Sequence, residues 1–196
     1  MDQFNIKKPE KEFFRPRTSD DSKYRRIQKA TFSEKLQNIL PKTSTLCFHA
    51  TTIWNTKNIL ESGYISAAAD RGKNIIDTNS CAGKISVTTI DSLWFSVKQF
   101  ADLSNFDYPA GCIFVLTPKD KEEFLAAKSQ HLISNVYFDK ESHRLQNIIT
   151  TPENIERVRK WVQASPLNLN PDIVVDYEKY INNSKETYLK EKERGI

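Results

Sequence analysis

The chain has 196 residues, 38% of them hydrophobic, which supplies one substantial core and too little for two ordinary domains. With 28% charged and 11% aromatic residues and only 5 Gly and 8 Pro, wholesale disorder and collagen-like or low-complexity architectures are excluded. The net charge of +4, from 29 Lys+Arg against 25 Asp+Glu, specifies no partner by itself. No apolar run reaches the roughly 18 to 20 residues needed to cross a bilayer.

Met1 is followed by Asp2, Gln3 and charged residues rather than an apolar signal core, so a soluble protein without a cleavable secretory signal is expected. Cys47, Cys81 and Cys112 form no CxxC pair and are odd in number, the pattern of buried thiols in a reducing compartment.

Residues 1–18 are basic and proline-containing without steady periodicity and read as an extended or disordered arm. A helical spacing begins at Ser19 with Tyr24, Ile27 and Ala30, and a second helix is expected over 32–40, where Thr31 and Glu34 have capping-box spacing and Pro41 is the stop. Between 45 and 150 the pattern changes to short apolar runs bounded by turn formers. LCFHA (46–50), KISVTT (84–89), GCIFVLT (111–117), ISNVYF (133–138) and RLQNIIT (144–150) read as strands. Helices are expected over 54–62, with Gly63 as a left-handed stop, and over 91–103.

DKES (139–142) between the last two strands predicts a short hairpin. Thr151 then reads as an N-cap with Pro152 at the first helical position, followed by the apolar stripe Ile155, Val158 and Val162. A final helix is expected from the Asn170-Pro171 start, carrying Ile173, Tyr177, Tyr180, Ile181 and Tyr188. The expected organisation is a basic arm with N-terminal helices (1–43), a core (44–165) and a C-terminal helical extension (166–196). The fold class is α+β, a small split mixed or antiparallel sheet flanked by helices.

Several chemistries lack their motif. Neither GxxxxGK[ST] nor GxGxxG occurs, so no glycine-rich phosphate loop is present, and the GxSxG nucleophile elbow is missing. Of His49, His131 and His143, His49 alone has a cysteine at close spacing, Cys47, and one such pair without a second predicts no zinc site. A Cys–His nucleophile would have to combine His49 with Cys81 or Cys112, and nothing nearby in the sequence lowers either thiol.

The informative stretch is LCFHATTIWNTKNILESGYISA (46–67), in which a His sits on an apolar strand, is followed by small and hydroxylic residues, and leads through a helix to a Gly-Tyr turn. That order resembles the first motif of ADP-ribosyltransferase folds of the diphtheria-toxin and poly(ADP-ribose)-polymerase type and of the related RNA 2'-phosphotransferases. His49 matches the strand His, Ala50 and Thr51 the small and hydroxylic positions, and Ile59, Leu60 and Gly63 the helix end. KISVTTIDSLWFSVKQFA (84–101) resembles the second motif, a strand with hydroxyl residues followed by a helix beneath the nicotinamide. RLQNIITTPENIERV resembles the closing strand. The family places its catalytic Glu there, before two aliphatic residues; here Gln146 or Asn147 stands at that place, and the nearest upstream carboxylate is Glu141.

The resemblance implies an enzyme that uses NAD+ as a substrate, needs no metal and delivers ADP-ribose to a protein acceptor. His49, Glu141 and Gln146 would be the catalytic candidates. His49, Ala50, Thr51, Tyr64, Ser86, Thr88, Trp94, Phe95 and Asn147 would line the dinucleotide site, with the aromatic residues stacking on rings. The same fold acting on nucleic acid, through Arg15, Arg17, Arg25, Arg26 and Lys29, is a second reading, and a binding module without turnover is a third. No membrane is implied. The composition also suits a bacterial toxin or effector, in the cytoplasm or exported without a cleavable signal. Each assigned residue has a structural alternative: His49 as an ordinary strand histidine, Trp94 and Phe95 as core, Glu141 as a solvated turn residue.

Overall fold

A computed structural model describes Asn38 and residues 45–66, 85–92, 111–129, 131–132, 135–138 and 144–194. The expected arm and the helix from Ser19 lie outside the described residues; of the helix expected over 91–103 only Asp91 and Ser92 are described, in a 3-10 turn (Ile90–Ser92). Of the helix expected over 32–40 only Asn38 is described, and it is helical.

The order is β1 (Cys47–Thr51), α1 (Ile53–Ser62), β2 (Tyr64–Ile65), β3 (Ile85–Ser86), β4 (Thr88–Thr89), β5 (Cys112–Leu116), α2 (Lys121–Lys128), β6 (His131–Leu132), β7 (Val136–Tyr137), β8 (Leu145–Thr150), α3 (Ile155–Ala164), β9 (Val174–Asp176) and α4 (Tyr177–Glu193). The protein is α+β: a mixed five-stranded sheet in the order β4-β1-β5-β8-β9, with two-stranded ladders β2-β7 and β3-β6 and flanking helices. Among the described residues every pairing is antiparallel except β8 with β9, which is parallel.

Strand alternation sends the core to both faces of the sheet. One face carries Cys47, Cys112, Phe114, Leu116, Ile148 and Val174 and packs against Ile59 and Leu60 of α1 and Val158 and Val162 of α3. The other carries Phe48, Ile113, Val115, Ile149 and Val175 beneath Tyr180 and Ile181 of α4.

Local chemistry explains the helix ends. Thr52 caps α1 by accepting from the Asn55 N–H at 3.1 Å, and Gly63 stops it at φ +80°, where its N–H donates to the Ile59 carbonyl. Thr151 and Pro152 begin a single 3-10 turn, Pro152–Asn154, before α3 proper starts at Ile155. Helix α2 has no counterpart in the expected elements, although Asp120 accepts from the Glu123 N–H at 2.8 Å and Glu122 and Glu123 fill the first turn.

Three expectations are corrected. KISVTT is not one strand: it breaks at Val87 into β4, paired with β1, and β3, paired with β6. No hairpin joins ISNVYF to RLQNIIT, because β7 pairs with β2 while both edges of β8 are taken by β5 and β9. Residues 139–142 themselves lie outside the described residues. The segment after Asn170 does not enter a helix directly. Asn170 caps a 3-10 turn (Pro171–Ile173), and β9 follows before α4 begins. Val174 and Val175 are buried on opposite faces of the sheet, and a strand covered on both sides shows a continuous apolar run rather than an alternation.

Candidate functional site

His49 lies in the middle of β1, opposite Phe114 of β5, and is 6% exposed. Its ring is 6.5 Å from that of Phe114, which is stacked in turn on Phe138 at 6.0 Å with the planes 3° apart. The Phe138 N–H donates to the Gly63 carbonyl at 2.8 Å. The turn that ends α1 is thus tied over the face of the sheet on which His49 stands, and Ile65, Val136 and Phe138 belong to the same core. Tyr64 is half-buried directly across from the exposed Tyr137, with ring centroids 5.2 Å apart.

The pairing of β4 with β1 covers Cys47 and Phe48 only, whereas β5 runs along all five residues of β1. Beyond Phe48 the outer strand turns away at Val87 to pair with β6. His49, Ala50 and Thr51 therefore stand past the paired part of β4, where the sheet splits.

The residues assigned from sequence do not all converge. His49 and Thr51 share one face of β1, and Thr51 is buried opposite Cys112. Ala50 packs with the core on the other face. Thr88 is buried there too, paired with Phe48. Asn147 pairs with Val115, which places it on the face opposite His49, and its Nδ2 donates to the Ile173 carbonyl at 3.3 Å. Gln146 is exposed, and its Nε2 donates to Thr117 Oγ1 at 3.1 Å. Ser86 is in β3, opposite His131 of β6. Glu141, Trp94 and Phe95 lie outside the described residues.

The described thiols are poor nucleophiles. Burial pushes Cys47 up to about 12; the nearby Glu123 carboxylate raises it further and Arg144 opposes this. Burial pushes Cys112 up to about 11 against weaker hydrogen bonds to Thr150 and Thr56. Among the described residues no group of three or more His, Cys, Asp and Glu is placed to hold a metal ion. No described helix is long and apolar enough to cross a membrane.

One polar group was not legible from the motifs. Arg144, the residue before β8, is paired with Glu123 of α2, and both side chains are largely buried. The signal for it in the sequence is the Asp120–Glu123 capping pattern after Pro118. Comparison of the chain with protein-family models, with curated proteins and with solved structures finds no match.

Proposed function

We propose that the chain is an ADP-ribosyltransferase-like enzyme that uses NAD+ as its substrate and transfers ADP-ribose to a protein side chain. The observation that supports this most is the placing of His49 at the split of the sheet, with the Gly63-Tyr64 turn drawn over the same face through Phe114 and Phe138. In the proposed reaction the bond between nicotinamide and the ribose C1' breaks, the nicotinamide leaves with the bonding electrons, and an acceptor nucleophile forms the new bond to C1' and loses its proton. His49 would donate to a ribose hydroxyl, the Ala50 backbone would hold the carboxamide and Tyr64 would stack on a ring. A carboxylate would stabilise the developing positive charge. An amide at this place, as in Gln146, would orient a hydroxyl without supplying that charge.

A second reading, binding of NAD+ or an ADP-ribose group without turnover, is favoured by the turning of Asn147 away from the His49 face. Labelled NAD+ incubated with the purified chain and a cell lysate separates the readings. The enzymatic reading expects nicotinamide release and a nuclease-resistant label on protein, lost in His49→Ala. Nuclease-sensitive label indicates a nucleic-acid acceptor. Binding by calorimetry without nicotinamide release indicates the second reading, and neither binding nor release overturns both.

A further inference from the structure

The ladder of β2 and β7 has two unlike sides. Tyr64 and Tyr137 face each other on one, with Tyr137 56% exposed, whereas Ile65 and Val136 are buried opposite each other on the alternate side. Alternation returns Phe138 to the buried side, and its N–H donates to the Gly63 carbonyl at 2.8 Å, one step past the Tyr64–Tyr137 pair. Its neighbour across the ladder is thus a glycine with no side chain. The Phe138 ring lies instead on Phe114, with centroids 6.0 Å apart and planes 3° apart.

Phe114 is the residue of β5 directly across from His49, and cross-strand partners share one face of a sheet. The His49 ring meets it at 6.5 Å, tilted by 51°. Both separations fall within the range at which aromatic rings attract in defined orientations. Phe114 and Phe138 are both buried. In an interior packed as densely as a crystal, a flat side chain held from one side keeps its rotamer and offers its other neighbour a fixed wall. Because Ile65, Val136 and Phe138 are all deeply buried, the ladder is a fixed part of the core rather than a flap over His49.

We propose that Phe138 is a positioning residue for His49: through Phe114 it fixes the orientation of the His49 imidazole, and it makes that orientation depend on the seating of the Gly63-Tyr64 turn. The bearing of this on a ligand rests on the NAD+ reading above; the ring geometry does not.

The test uses the full chain and reads the His49 imidazole directly by NMR, through its ring proton and carbon resonances, assigned from their loss in His49→Gln. Phe138→Leu keeps an apolar side chain in place and removes the flat ring, and it should displace the His49 resonances. Phe138→Tyr retains the ring and should keep them at their wild-type positions. Val136→Ala loosens the same strand without removing a ring, so it should lower the urea midpoint and leave the His49 resonances unmoved. In parallel, the Kd for NAD+ by calorimetry should rise about 2- to 10-fold in Phe138→Leu, the factor that the attraction of one aromatic pair corresponds to, and stay at the wild-type value in Val136→Ala. Unmoved His49 resonances in Phe138→Leu, or an equal displacement in Val136→Ala, overturns the positioning role. Displaced resonances with a wild-type Kd overturn its bearing on the ligand. Wild-type protein that does not bind NAD+ overturns the reading above and leaves the ring geometry standing, since the resonances are measured without NAD+.

Discussion

The Ser165 hydroxyl donates to the Leu60 carbonyl at 2.7 Å across 105 positions of sequence, inside the core. Leu60 is in the last turn of α1, where helix carbonyls have no partner within the helix. Ser165 follows the last residue of α3, and its oxygen also accepts from the Leu167 N–H at 3.3 Å. The C-terminal ends of α1 and α3 are joined by this one side chain.

Ser165→Ala should therefore leave the Leu60 carbonyl buried without its donor and cost about 1 to 3 kcal/mol. Urea denaturation should show a lower midpoint with an unchanged slope. A midpoint equal to wild type would mean that the bond contributes nothing.

Gly63 has φ +80°, and a Cβ built there would lie 3.1 Å from Leu167 Cδ2. Gly63→Ala incurs the left-handed backbone cost of about 1 to 2 kcal/mol. Thermal unfolding should fall by roughly 2 to 4 °C for each kcal/mol lost. Adding Leu167→Ala relieves the contact and not the backbone strain, so it should not restore the midpoint.

Removing one partner of the Glu123–Arg144 pair leaves a charge in a largely buried place. Glu123→Leu alone should cost about 3 kcal/mol, and Glu123→Leu with Arg144→Met should cost less than that. A double-variant cycle by chemical denaturation measures the coupling, and additive costs would show that the two side chains do not interact energetically.

The folded Cys112 and Cys47 thiols titrate near 11 and 12, above the ordinary 9.0 expected in the unfolded chain. Between these values the native state keeps protons that the unfolded state gives up, so stability is whole below pH 9 and is lost as the pH rises through 11 and 12. Denaturation midpoints should be flat in these terms below pH 9 and fall above it, more gently in Cys112→Ala. At pH 8 a maleimide should label Cys47 and Cys112 only after unfolding, as read by peptide mass spectrometry. Rapid labelling of either in the native protein contradicts their burial.

A chain ending at Leu169 lacks β9 and α4 and so loses the buried Val174, Val175, Tyr180 and Ile181. At about 1.5 to 3 kcal/mol for a fully buried apolar side chain, the loss is comparable to the whole stability of an ordinary domain, roughly 5 to 15 kcal/mol. The truncated chain should be recovered as aggregate, with Phe48, Ile113 and Ile149 uncovered. Recovery as a folded monomer would show that the last 27 residues are dispensable.

Local signals in the sequence were enough wherever structure is decided within a few residues. The strands at 47–51, 112–116 and 145–150, the left-handed stop at Gly63 and the Val158–Val162 stripe follow from apolar periodicity, turn formers and caps, which act at short range. His49 on an apolar strand was legible for the same reason. The parallel strand Val174–Asp176 was not, since burial on both faces erases the alternation that marks a strand. Which strands pair was also beyond local pattern: β7 seeks β2 across more than 70 positions, and β8 is enclosed by β5 and β9. Tertiary structure alone decided that Asn147 faces away from His49 and that Gln146 stands out in a bulge. Side-chain direction in a sheet depends on register, and one extra residue in one strand changes it.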